Sequence, residues 1–270
     1  MKKSVFCASI LAAGFAFADS TEITCDNVLG VMPISITNTQ LILSVPWVQP
    51  GGGDAIAVSN FVKTAGLTAE DGTYNGDTLT WYDGSTGEYN VWSLVSDASG
   101  TNRWQAVDMV GNDNVINVNP TNAVLKQGNA VVLTRASSNE TVYVIGQVGT
   151  NSTITTTVAA NAISLIAPPG SLDGVFEVNH ATKGIKYVEG APVPSTYDEG
   201  KNRITEVGDL LIRENVGGLT ASFVYYNGTW RPSYDISEEN VVVPAGCGIW
   251  YKRKANTPMT ISWSAKTVGN

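Results

Sequence analysis

The 270 residues carry 16 Lys and Arg against 24 Asp and Glu, a net charge of −8, with one histidine and three cysteines. The acid surplus is spread along the chain and argues against nucleic acid or anionic lipid as partner, since both need basic patches. A lone His180 without a G-x-S-x-G elbow gives no Ser-His-Asp constellation, and one histidine with scattered cysteines makes no zinc site.

Residues 1–18 read as a secretory signal, with Lys2 and Lys3 before an apolar stretch from Val5 to Ala18. Ala16 and Ala18 give the small-x-small pattern, so cleavage is expected before Asp19. The stretch is shorter than the roughly 20 residues a membrane span needs. Ser4-Val5-Phe6 lacks the small residues that precede a lipidated cysteine. The expectation is a secreted, periplasmic or cell-surface protein with no membrane insertion after signal removal. Cys7 leaves with the signal. Cys25 and Cys247 then either form a disulfide, which export permits, or pack separately as small apolar residues.

Strands are expected over Val28–Thr37 and Thr39–Trp47, the second ended by Pro46, which lacks the ladder N–H. A Gly-rich loop follows, and Val58–Leu67 is the one short helix expected, capped by Ser59 and stopped by Gly66. Gly76-Asp77-Thr78-Leu79 opens a strand that turns at Asp83–Gly87 and returns as Glu88–Leu94, before Trp104-Gln105. Asn122–Gly146 then reads strand, Gly turn, strand, polar turn, strand.

The same order returns. Val144–Val158 and Asn161–Pro169 stand where the first two strands stood, with Gly146 matched to Gly30 and Pro168 to Pro46. Gly174–Gly190 reads as two strands, followed by a loop to Asn202. Gly208-Asp209-Leu210-Leu211, Thr220–Tyr226 and Trp230-Arg231 repeat their earlier counterparts. Asn227-Gly228 marks a hairpin, since both central residues of a type I′ turn need positive φ. Asn240–Ser264 closes the chain as Asn122–Gly146 closed its first part, with Gly246 matched to Gly128 and Arg253 to Arg135. The expected fold is all-β: two tandem sandwich- or barrel-like repeats, residues 19–141 and 142–270, sharing a junction strand near Val142–Val148.

Asn27-Val28-Leu29-Gly30, Leu43-Ser44-Val45-Pro46, Gly76–Leu79 and Pro244–Trp250 together resemble a family of uncharacterised secreted bacterial tandem-β-repeat proteins. The first repeat departs from that pattern at Lys126 and Ala130, where Pro and Gly belong. The resemblance implies architecture and no activity, cofactor or catalytic residue.

Trp81, Tyr82 and Trp92 crowd the first repeat, where exposed rings would stack on sugars; strand propensity and core packing account for them equally well. The matched Trp104 and Trp230 fit shared packing better. Glu70, Asp71, Asn75 and Asp77 offer hard oxygens for calcium without the closing bidentate glutamate, and a Gly-Asn-Asp turn explains them better. Nothing in the spacing selects a carboxylate pair for glycoside cleavage. The sequence reading is therefore a non-catalytic structural or surface-interaction protein without a cofactor, whose partner is itself. A carbohydrate-binding module on extracellular glycan is the alternative. Thr21–Cys25 is expected to be extended against a sheet edge, with self-association running end to end through the termini.

Overall fold

The computed structural model describes residues 29–36, 40–45, 55–58, 67–70, 76–83, 88–96, 98–107, 124–136, 140–147, 153–168, 174–176, 185–214, 220–233 and 241–264. These form antiparallel sheets with no helix among them, so the fold is all-β. Residues 59–66 of the expected helix, Thr21–Cys25, Cys25 of the possible disulfide and His180 lie outside the described residues.

The first half contains β1 (Leu29–Ile36), β2 (Gln40–Ser44), β3 (Ala55–Ala57), β4 (Thr78–Asp83), β5 (Glu88–Ser96), β6 (Asn102–Val107), β7 (Val124–Lys126), β8 (Ala130–Thr134) and β9 (Glu140–Gln147). Five of them make a sheet in the order β2-β8-β4-β5-β6, while β1 pairs with β9 and β3 with β7. Alternation along the strands sends one side chain in two toward the core. Leu43, Leu79, Trp92, Leu94, Trp104 and Leu133 of the five-stranded sheet pack with Ile34 of β1 and Val142 and Val144 of β9. The core thus lies between two layers, as in a sandwich.

The second half contains β10 (Thr153–Val158), β11 (Ile163–Ile166), β12 (Gly174–Val175), β13 (Ile185–Glu189), β14 (Tyr197–Asp198), β15 (Arg203–Ile204), β16 (Leu210–Glu214), β17 (Thr220–Tyr226), β18 (Thr229–Pro232), β19 (Val242–Val243), β20 (Ile249–Lys252) and β21 (Met259–Ser264). Its five-stranded sheet runs β11-β20-β16-β17-β18, the chain order of the first sheet. β10 pairs with β21 as β1 does with β9, and β12 with β19 as β3 does with β7. Registers match as well: Leu79 pairs with Trp92 and Leu133, and Leu211 with Phe223 and Tyr251. Asn227 and Gly228 turn the β17–β18 hairpin at φ 49° and 83°, the type I′ geometry expected of Asn-Gly.

Among the described residues, two features occur in the second half alone. β13 adds a third strand beside β21, with a bulge between Tyr187 and Glu189. The segment expected as a loop to Asn202 instead folds into the β14–β15 hairpin. Ile204 and Tyr197 of that hairpin cover Leu210 and Val224 on the outer face of the sheet.

Two expected correspondences are corrected. By register Leu43 answers Ile166, so Pro168 answers Val45 and not Pro46, which lies outside the described residues. Gly30 and Gly146 are opposite residues of the antiparallel β1·β9 pair, not equivalent positions. The strand equivalent to β1 is β10, because each pairs with the last strand of its half. β9 pairs with β1 along Glu140–Gln147, so a boundary between residues 141 and 142 cuts through a strand that belongs to the first half.

The halves meet through the outer faces of β2 and β8 on one side and β11 and β20 on the other. Ile42, Ala130 and Val132 pack there against Leu165 and Ala167, with Trp250 beside them. Backbone bonds cross in both directions. Ser44 N donates to Gly246 O at 2.9 Å, and Ala167 N donates to Gly128 O at 2.9 Å. Leu43 forms a bridge with Cys247, and Ile166 with Asn129.

Candidate functional site

The two Gly-Asp motifs and the two matched arginines are one device, built twice. Asp77 is fully buried; its Oδ2 lies 2.9 Å from Arg135 Nε, and both side chains are 0% exposed. The same carboxylate accepts Thr68 N at 2.9 Å and Ala136 N at 2.7 Å. In the second half Asp209 Oδ2 lies 2.8 Å from Arg253 Nη1 and accepts the Tyr251 hydroxyl at 2.9 Å, while Oδ1 accepts Lys254 N at 2.7 Å. Arg253 also donates to Thr257 O and Ala191 O, each at 2.9 Å. A buried carboxylate is tolerable when a counter-charge and hydrogen bonds replace its water, and both sites meet that condition.

The glycines of the motif are set by close backbone approach. A Cβ on Gly76 would lie 2.5 Å from Glu70 N, and one on Gly208 would lie 2.7 Å from Ser195 N. The segments that press on them are held by matched bonds. Asp77 N donates to Thr68 O at 2.8 Å and Asp209 N to Val193 O at 2.9 Å; Glu70 N donates to Leu94 O and Ser195 N to Tyr225 O, both at 2.7 Å. Each Asp therefore staples an incoming segment and the turn after β8 or β20 to the start of β4 or β16.

The aromatic candidates fall into the same scheme. Trp92 is 1% exposed, and half-buried Trp81 stacks on it at 6.2 Å and 18°. Their register equivalents are Phe223 and Arg213, whose guanidinium lies 5.2 Å from the Phe223 ring centre. A planar group laid over a buried ring is thus common to both halves. Tyr82 lies on β4 opposite Tyr89. Trp104 and Trp230 are buried at equivalent edge-strand positions, paired with Leu94 and Tyr225. The exposed row of rings that sugar stacking requires does not form from Trp81 and Trp92.

The second core is more polar. Trp230 Nε1 donates to the Tyr187 hydroxyl at 3.0 Å, and Trp230 packs edge-on against Tyr251 at 5.6 Å. Burial pushes the Tyr187 hydroxyl well above its usual range, against the opposing effect of the Trp230 bond. Burial and then the Asp209 charge do the same to Tyr251, and burial raises Tyr225. These hydroxyls are held protonated, as hydrogen-bonding groups rather than bases.

Of the calcium candidates, Asp71 and Asn75 lie outside the described residues. Glu70 is half-buried in a parallel bridge to Val95, and Asp77 already has donors on both oxygens. Among the described residues no three His, Cys, Asp or Glu group to hold a metal ion. Cys247 is half-buried at the bridge to Leu43. Sequence reasoning marked the Gly-Asp motifs and the matched arginines separately and missed their pairing. Their shared recurrence in both halves was the signal available. The chain matches no protein-family model, no curated protein and no solved structure.

Proposed function

We propose that this is a secreted, non-catalytic structural or surface-interaction protein, built from two tandem copies of one β unit, that associates with its own copies. The observation that carries the reading is the use to which both halves put their matched polar and aromatic groups. Asp77, Arg135, Asp209 and Arg253 neutralise one another inside the frame, and Trp92, Trp104 and Trp230 fill its cores. Groups so engaged hold a shape and leave the surface to do the work. The test is light scattering and electron microscopy of the purified chain over a wide concentration range, beside a glycan panel. Concentration-dependent assembly without glycan affinity is expected. A chain that stays monomeric throughout, or that binds a glycan through Trp81, would replace this reading.

A further inference from the structure

The interface between the halves has an internal two-fold character. The bond from Ser44 N to Gly246 O is answered by the bond from Ala167 N to Gly128 O, and the Leu43–Cys247 bridge by Ile166–Asn129. By register these partners are equivalent: Leu43 pairs with Val131 as Ile166 pairs with Ile249. Positions 130 and 248 are likewise equivalent, each preceding those residues, and they meet face to face. A Cβ on Gly248 would overlap the Ala130 Cβ and lie 2.7 Å from Ile42 Cγ2. Only one of the two positions has room for a methyl, so alanine in the first half is matched by glycine in the second. Two first halves would set alanine against alanine, and two second halves would leave a gap. The surface is selective for unlike halves.

Unlike halves are available from a second copy. Residues 148–152 separate β9 from β10, and the six steps from Gln147 to Thr153 reach at most about 20 Å extended. We propose that two chains associate by reciprocal exchange, the first half of each docking on the second half of the other through Ile42, Ala130 and Val132 against Leu165, Ala167 and Trp250. Such a dimer remakes the contacts between the halves and needs no new surface, the usual basis of exchanged oligomers. This rests on the self-association proposed above and names the surface that performs it.

The Leu43–Cys247 bridge supplies the test. Its flanking bonds, Ser44 N to Gly246 O and Gly248 N to Ile42 O at 3.0 Å, make it a non-hydrogen-bonded antiparallel pair. Such pairs hold Cα atoms about 4.5 Å apart, within disulfide range. Full chain carrying Cys7→Ser, Cys25→Ser and Leu43→Cys keeps cysteines only at positions 43 and 247. Isotopically heavy and light preparations are refolded together at rising concentration, oxidised and digested. The proposal predicts that heavy–light 43–247 peptides appear and increase with the dimer fraction. Dimers whose 43–247 disulfides are all heavy–heavy or light–light, within one chain, overturn the exchange and leave self-association standing. No dimer at any concentration overturns both. Should the Leu43→Cys chain fail to fold, two differently tagged wild-type preparations decide. Mixed-tag dimers after joint refolding, and none after mixing folded chains briefly, support exchange. Mixed-tag dimers formed at once from folded chains refute it.

Discussion

Replacing Arg135 by Met leaves the Asp77 carboxylate buried with Thr68 N and Ala136 N as donors but without its counter-charge at 2.9 Å. Breaking a fully buried pair from one side costs about 3–5 kcal/mol. In a chain of this size each kcal/mol moves the melting temperature by about 2–4 °C, so a drop of about 6–20 °C is expected. Urea midpoints followed by tryptophan fluorescence measure the loss at equilibrium. The double variant Asp77→Asn with Arg135→Met is the stronger half of the experiment. It removes both charges and keeps an acceptor for Ala136 N, so it should be more stable than Arg135→Met alone. A single-variant cost below about 1 kcal/mol, or a double variant at the sum of the singles, would show that the two groups are not energetically coupled and would refute the clasp.

Gly248→Val should destabilise by about 1–3 kcal/mol through overpacking at the junction of the halves, where its side chain meets Ala130 and Ile42; Val at this site with unchanged stability counts against the described junction. Trp92→Ala should cost about 3–5 kcal/mol as a large-to-small core change, and Trp81→Ala, half-buried over it, clearly less; equal costs in urea titrations would contradict the layering. Tyr187 and Tyr251 have folded-state values raised above the 10.0 of a free tyrosine. Their contribution is therefore complete below pH 10 and falls as pH rises through the folded values, because the unfolded chain ionises first. Urea midpoints should decline above about pH 10, less steeply in Tyr187→Phe, and an unchanged slope in that variant would show that Tyr187 does not drive the decline.

The fold class was legible because its signals are local. Alternating apolar residues bounded by Gly and Asn give strands and hairpins from a few consecutive residues, and Asn227-Gly228 behaved as its backbone preferences require. The clasps were not legible because their members lie far apart in the chain. Ala136 N reaches Asp77 across 59 residues, and Lys254 N reaches Asp209 across 45. The mistaken match of Gly30 with Gly146 has another cause. An antiparallel partner and a repeated counterpart both present an apolar strand with a glycine, and only the register separates them. The β14–β15 hairpin escaped because its strands are two residues each, too short for alternation to register.

The two halves also act as an internal comparison, showing which groups the frame requires and which it merely accommodates. Asp and Arg are kept at both clasps, as are the glycine before the Asp and the buried tryptophan on the edge strand. Around them the chemistry changes freely. Trp81 over Trp92 becomes Arg213 over Phe223, and Leu133 becomes Tyr251, whose hydroxyl joins the Asp209 clasp. The constant members fix backbone against backbone, with carboxylate oxygens taking donors from the segments they join. The variable members fill volume, a demand that many side chains meet. One difference among the described residues lies between the stapled segment and the Asp, residues 70–77 in one half and 195–209 in the other, where the second half carries a hairpin over its sheet. Both ends of that segment are stapled by the matched bonds, so the halves differ in its length and keep the same strand order in their five-stranded sheets.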